Sequence, residues 1–258
     1  MYDLNNSVNL KSASEIAIMR EAGRINAETL KAVREAIAPG VTTGELNEVA
    51  EAVQRGYGVY SPFKHYPGPY PYPASICTSV NEELVHGIPG KRKLQEGDII
   101  SVDCGTVYQG YVGDSAFTTG VGEISPLAQK LIDVTAEALE VAIRMMQVGK
   151  TSGDVGAAIE AWVEQNGFYC THTYTGHGVG RKMHEAPHDF TNFGTPGEGL
   201  VLREGMTIAV EPMVLAGTRR TRVLRDQWTV ISADHSLTAH QEHSIAITKD
   251  GPLVLTAL

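Results

Sequence analysis

The chain has little cysteine, no long apolar run and no excess of positive charge, and each shortage removes a class of protein. Three cysteines occur in 258 residues, Cys77, Cys104 and Cys170, with no CxxC spacing. An odd, scattered set argues against a disulfide framework and for a reducing compartment, so a cytoplasmic protein is expected. No apolar stretch reaches the ~18 residues a membrane span needs, and the opening MYDLNNSVNLKSASE lacks the basic and apolar regions of a signal peptide. Lysine and arginine number 21 against 30 acidic residues, a formal charge of −9. That balance disfavours DNA and general nucleic-acid binding, because phosphate repels it. Interdomain linkers and low-complexity segments are missing too. What remains is a chain of ordinary globular composition, expected to be a monomer, long enough for one large domain or two fused halves.

The second possibility has support. Leu94-Gln95-Glu96-Gly97-Asp98-Ile99-Ile100-Ser101-Val102-Asp103 recurs 108 residues later as Leu202-Arg203-Glu204-Gly205-Met206-Thr207-Ile208-Ala209-Val210-Glu211. Both copies show β-like apolar alternation that ends on a carboxylate. Gly40-Val41-Thr42-Thr43-Gly44-Glu45-Leu46 is echoed by Gly149-Lys150-Thr151-Ser152-Gly153-Asp154-Val155, and His86-Gly87-Ile88 by His177-Gly178-Val179. Three echoes in one order predict a pseudo-twofold protein of two halves, about 12–120 and 121–250, within one catalytic domain spanning the chain.

Helix signals repeat in the same way. Ser12-x-x-Glu15 and Thr42-x-x-Glu45 have capping-box spacing, and Ala38-Pro39-Gly40 and Gly56 stop the two helices that follow. Ser125-Pro126 starts a third, expected to run to Gly149, and a fourth is expected from about Asp154 to Asn166. Each half reads helix, helix, strands: an α+β plan used twice. A Pro/Tyr-rich stretch from Ser61 to Pro73 is the main irregular segment.

Asp98 to Gly120 reads as a hairpin turning near Tyr108-Gln109-Gly110. A turn centred between Tyr108 and Gln109 would set Asp103 opposite Asp114, with Cβ atoms roughly 4.5–5.5 Å apart and repelling. A shared proton or a metal ion would relieve that repulsion. Glu211 is the repeat partner of Asp103, Glu242 lies in a strand-like QEHSIAIT segment, and His177 lies among glycines that let backbone crowd a site. Four carboxylates and one imidazole suit two divalent ions such as Mn, Fe, Co or Zn, and do not choose among them.

VDCG with Asp103, GDSAFTT with Asp114, GHGVGRKMHEAP with His177 and His184, VEPM with Glu211 and EHSIAIT with Glu242 together resemble the type I methionine aminopeptidases, from about Ser12 to Thr248. The resemblance implies the pseudo-symmetric pita-bread fold and removal of the initiator methionine from nascent chains whose second residue is small. It implies that Asp103 chelates one ion, that Asp114 and Glu242 bridge both, and that His177 and Glu211 complete the other. Glu211 would then also be the proton acceptor, with His184 at the scissile carbonyl oxygen and His86 against the substrate backbone. Tyr72, Cys77, Met183 and Trp228 would wall the methionine pocket, Met183 standing where several relatives carry phenylalanine. His240 stands where relatives often carry glutamine; either it tunes Glu242 or it is simply tolerated there. Asn81 would offer loop oxygens to a monovalent cation.

Other readings fare worse. His184-Glu185-Ala186-Pro187-His188 matches HExxH, but that motif needs a helix and Pro187 costs a helix interior ~3 kcal/mol. The proline-specific branch usually carries a large preceding domain, and type II enzymes carry an insert for which the 31 residues from Glu211 to Glu242 leave no room. A non-catalytic module would have lost ligands, and all five are present. Last, Arg219, Arg220, Arg222 and Arg225 fall within seven residues of an acidic protein. They read either as a solvated hairpin or as a docking edge for ribosomal RNA.

Overall fold

The computed structural model describes residues 8–257; the residues before Val8, part of the stretch read for a signal peptide, lie outside the described residues. Helix α1 (Ala13–Ala36) starts at its capping box: the Ser12 hydroxyl accepts from the Glu15 amide (3.3 Å) and the Glu15 carboxylate from the Ser12 amide (2.9 Å). This satisfies two of the N–H groups a first helical turn leaves open. Helix α2 (Thr43–Gly56) repeats the device with Thr42 and Glu45. Strands β1 (Ile76–Val80), β2 (Glu83–Val85), β3 (Ile99–Tyr108) and β4 (Tyr111–Gly120) complete the first set.

Then the order begins again. Helix α3 (Pro126–Met145) follows the Ser125 cap, and α4 (Ser152–Gln165) follows a third capping box, Thr151 with Asp154. α3 ends four residues before the predicted Gly149, because Gly149 N–H is drawn off to the Leu202 carbonyl (3.0 Å). α4 starts earlier than predicted because Thr151 caps it. Strands β5 (Tyr169–Cys170), β6 (Gly176–Gly178), β7 (Glu185–Phe190), β8 (Thr207–Val210), β9 (Met213–Leu215), β10 (Thr221–Val223), β11 (Val230–Ser232), β12 (Thr238–His240), β13 (Glu242–Thr248) and β14 (Gly251–Val254) follow. No helix among the described residues is long and apolar enough to cross a membrane.

The internal repeat is visible bond by bond. Gly40 N–H donates to Leu94 O (2.7 Å) as Gly149 does to Leu202, and Leu94 N–H donates to Val41 O (2.8 Å) as Leu202 N–H does to Lys150 O (2.8 Å). Isolated bridges Thr42↔Lys93 and Thr151↔Val201 are likewise equivalent. The glycine of each Leu-x-Glu-Gly copy has a left-handed backbone, Gly97 at φ +91° and Gly205 at φ +85°. Each donates to the edge of the neighbouring strand segment, Gly97 to Val121 O and Gly205 to Ile247 O (both 2.9 Å).

The main sheet is antiparallel in the order β1-β3-β4-β13-β8-β6-β7, with β14 also on β13. Its seam joins the halves where β4 meets β13, through Glu242↔Ala116 and His243↔Ser115. One face carries the helices. Leu30, Val33, Leu46 and Ala50 pack on Ile76, Ile100, Val102 and Phe117, and Leu131, Ala138, Val155 and Ile159 on Ile208, Val210, Ile245 and Ile247. Period-two alternation sends Val102 and Cys104 into that layer and Asp103 to the opposite face.

The expected pairing of Asp103 with Asp114 is corrected here. Asp103 faces Ala116 and Asp114 faces Gly105, because the central turn residues are Gln109 (φ +47°) and Gly110 (φ +78°). A two-residue turn with both φ values positive matches strand twist, and glycine meets that need at the second position. The shift is two residues, so both acids keep the same face, now as diagonal neighbours.

Replacing either left-handed glycine should destabilise the fold. Gly97→Ala is expected to cost about 1–2 kcal/mol from backbone strain alone. Gly205→Ala should cost more, since its Cβ would stand 2.9 Å from the Lys11 carbonyl oxygen. Urea denaturation measures both, and a Gly205→Ala midpoint equal to the parent's contradicts the account.

Candidate metal centre and active site

Five consecutive strands each bring one polar side chain to the face opposite the helices. In sheet order these are Asp103 on β3, Asp114 on β4, Glu242 on β13, Glu211 just past β8 and His177 on β6. Asp114, Glu242 and His177 are almost fully buried. A hydroxyl clamp at the seam fixes Asp114: its amide donates to Ser244 Oγ (3.0 Å), and that hydroxyl donates to the Asp114 carbonyl (2.8 Å). His177 Nδ1 lies 2.9 Å from the Gly178 carbonyl, which only accepts, so the proton sits on Nδ1. Its Nε2 lone pair then faces Asp114 Oδ2 and Glu211 Oε1, each 3.7 Å away.

Crowding these acids together raises their affinity for protons. Burial pushes Asp103 up to about 7, against the partial relief of His240. Burial and then the charges of Asp103 and Glu211 push Asp114 well above the carboxylate range. Burial, then Asp114, Glu211 and Asp103, do the same to Glu242, and burial raises Glu211. His177 is driven down to about 3 by burial, so it is a neutral imidazole. Asp103 Oδ1, Asp114 Oδ1 and Glu242 Oε1 are buried with no hydrogen-bond partner. Orphaned acceptors of this kind, beside an imidazole lone pair, fit hard or borderline divalent cations. The donor atoms of Asp114, His177 and Glu242 lie within 4.8 Å of one another, as do those of Glu211, His240 and Glu242.

A cavity of about 250 Å³ opens above this floor. Its walls include all the pocket residues expected from sequence, Tyr72, Cys77, Met183 and Trp228, together with His86 and His184. Tyr72 is locked by hydrogen bonds from its hydroxyl to Gly87 O (3.0 Å) and Ile76 O (3.2 Å), and meets Trp228 edge-on at 5.2 Å. Asp226 holds the Trp228 turn by accepting from the amides of Trp228 and Thr229. Burial pushes the Cys77 thiol well up, so it stays protonated and acts as wall. Burial takes His86 down to about 4.

Two wall residues escaped the sequence reading, Phe63 and Tyr66. Both belong to the Pro/Tyr-rich loop, which has no periodicity to reveal an inward side. The loop settles here because Asp114 pairs with Gly105, where a Cβ would stand 2.8 Å from both Phe63 and Pro62. Tyr66 Oη lies 2.7 Å from His184 Nδ1, and the His184 ring lies 4.0 Å from that of His177.

Other expected residues have different surroundings. His240 Nε2 is nearer Glu211 (3.3 Å) than Glu242 (3.9 Å), the acid it was expected to tune. Asn81 donates to Asp98 Oδ1 (2.8 Å), and its own carbonyl accepts from Thr238 N (2.9 Å). The HExxH match lies on strand: Glu185 opens β7 and is tied to Lys11 in a buried 2.6 Å ion pair, and His188 is exposed. Among the four arginines, Arg219 is held by Glu164 (2.6 Å) on α4, whereas Arg220, Arg222 and Arg225 are exposed.

Residues 17–249 match the profile of metallopeptidase family M24. The chain belongs to that family. It is 45% identical over 249 residues to the methionine aminopeptidase of Clostridium perfringens, covering 96% of this chain and 98% of that one. It is 46% identical over 246 residues to methionine aminopeptidase 1 of Bacillus subtilis, covering 95% and 98%. The crystal structure of the Thermotoga maritima methionine aminopeptidase superposes with a TM-score of 0.94 at 46% identity, covering 97% of this chain and all of that one. The curled antiparallel sheet with two helix pairs is therefore the pita-bread fold of this family.

The raised carboxyl groups give the metal-free protein an inverted pH response. A buried acid that holds its proton longer than the unfolded chain does stabilises fully below the unfolded value. That stability drains away as pH climbs through the folded value, for Asp103 from 3.8 to about 7. Neutral His177 and His86, held down to about 3 and about 4, act in the opposite sense over the same window, so the carboxyl contribution is read as a difference between variants. With chelator present, Asp103→Asn is expected to gain melting temperature relative to the parent as pH rises through the window, and a saturating divalent cation should reverse that advantage, since it replaces the protons. Thermal melts of both proteins with and without metal test this, and a parent-minus-variant difference that does not change with pH under chelator contradicts it.

Proposed function

We propose that the protein removes an N-terminal methionine from peptides and nascent chains by metal-assisted hydrolysis, when the second residue is small. The observation that carries this reading is the stacking of an aromatic and sulfur-lined pocket directly on a floor of four carboxylates and an imidazole. Asp103 would hold one divalent ion, His177 and Glu211 would hold a second, and Asp114 and Glu242 would serve both. When bound, such ions acidify a water nucleophile and polarise a carbonyl; Co, Mn, Fe and Zn all suit the ligands.

The chain's own groups supply the remainder. Glu211, at the edge of the cavity floor, accepts the proton of the attacking water. Burial keeps the His184 ring neutral, and with Nδ1 accepting from the Tyr66 hydroxyl 2.7 Å away its own proton would stand on Nε2. Nε2–H is thereby prepared to donate to the scissile carbonyl oxygen as negative charge grows there. His86, kept neutral by burial, offers a hydrogen bond to the substrate backbone. Burial of the methionine side chain among Tyr72, Cys77, Met183 and Trp228 contributes about 1.5–3 kcal/mol and sulfur–aromatic contact adds to it. His86 and His184 crowd the exit from this pocket, which supports the requirement for a small second residue.

A Met-Ala-Ser peptide is expected to be cleaved and Met-Lys-Ser refused. His184→Ala should keep its metal content and lose about 10²–10³ in kcat, the usual effect of removing a donor to a growing oxyanion. Rapid cleavage of Met-Lys-Ser, or loss of metal in His184→Ala, would count against the reading.

The remaining arginines support a location. A cytoplasmic monomer acting on emerging chains gains from a basic edge, and Arg220, Arg222 and Arg225 flank the turn that carries Trp228 at the pocket. Docking on ribosomal RNA through them should weaken steeply with salt. Changing all three to Glu is expected to abolish co-sedimentation with ribosomes at low salt while peptide hydrolysis persists. Unaltered co-sedimentation would end the docking idea.

A further inference from the structure

His240, the last residue of β12, is not one of the five ligands, yet it reaches the same floor. It is 2% exposed. Thr118 fixes its backbone on both sides: the His240 amide donates to Thr118 Oγ1 (2.8 Å), and the Thr118 hydroxyl donates to the His240 carbonyl (2.7 Å). Nε2 stands 3.3 Å from Glu211 Oε2 and 3.9 Å from Glu242 Oε2, with neither contact aligned as a hydrogen bond and no other partner. A buried nitrogen left in this way is costly unless a partner satisfies it.

The grouping of donor atoms suggests what does. Asp114, His177 and Glu242 form one tight set and Glu211, His240 and Glu242 another, with Glu242 common to both. Because Glu211 Oε1 also stands 3.7 Å from His177 Nε2, the two sets meet at the ion position that the proposed reading gives to His177 and Glu211, with Glu242 shared. We infer that His240 is a sixth ligand of the metal centre, binding through Nε2 beside Glu211 and Glu242. This rests on the proposed two-ion reading of the site. The consequence is a second nitrogen donor, which tilts the centre toward borderline ions such as zinc and cobalt and away from manganese.

The test counts nitrogen ligands directly. Protein labelled with heavy nitrogen in histidine alone is loaded with the spin-active cadmium isotope, and metal–nitrogen scalar coupling is read by NMR. Two coupled imidazoles are expected in the parent and one in His240→Gln. A single coupled imidazole in the parent, or an unchanged count in His240→Gln, overturns the inference and leaves His240 as a neighbour that merely orients Glu211. No coupled imidazole despite bound cadmium would instead bring down the five-ligand reading, since His177 belongs to it. Calorimetric titration gives a second readout. His240→Gln should weaken one zinc-binding step by about tenfold or more and reduce the preference for zinc over manganese by a similar factor. Zinc isotherms unchanged from the parent would also overturn it.

Discussion

Repulsion among four clustered carboxylates is the constraint around which this protein is organised. Asp103, Asp114, Glu211 and Glu242 converge with few donors to calm them, and three of their oxygens have no partner at all. Such a cluster survives only if its backbone is held from outside the cluster. The Ser244–Asp114 clamp, the Thr118–His240 bonds and the continuous ladder β3-β4-β13-β8-β6 do this. The apolar packing of both helix pairs then keeps the ladder from springing apart.

Duplication makes that arrangement economical in sequence terms. The same strand ending, apolar alternation followed by an acid, delivers Asp103 from one half and Glu211 from the other. The seam through β4 and β13 sets the two remaining acids side by side: Glu242 pairs with Ala116, two residues from Asp114. Each half brings only part of the cluster, Asp103 and Asp114 from the first and His177, Glu211 and Glu242 from the second. The site exists because the halves meet at this register and no other.

Much of this was legible beforehand because the physics was local. Ser12, Thr42 and Ser125 announced three helix starts through contacts three residues away, whereas the Thr151 cap of α4 was passed over and that helix was begun two residues late. The convergence of Asp103, Asp114, His177, Glu211 and Glu242 on one cavity floor was legible from motif and repeat. The hairpin register was misread by two residues, an error that left both acids on their correct face because side chains alternate. What stayed hidden was non-local. Tyr66 meets His184 across 118 residues, and Arg219 meets Glu164 across 55. No pattern along the chain encodes either meeting, and the loop bearing Phe63 and Tyr66 offers proline and tyrosine without a period.

The chain holds two tryptophans, and their placement has an optical consequence. Trp162 lies on α4 with its indole N–H given to the Val134 carbonyl (3.1 Å), in the helix layer. Trp228 lines the cavity, edge-on to Tyr72, with its indole nitrogen unpartnered. A side chain entering the cavity replaces water against one indole and leaves the other undisturbed. The protein thus carries a native fluorophore whose colour follows occupancy of the pocket, over a background that stays constant.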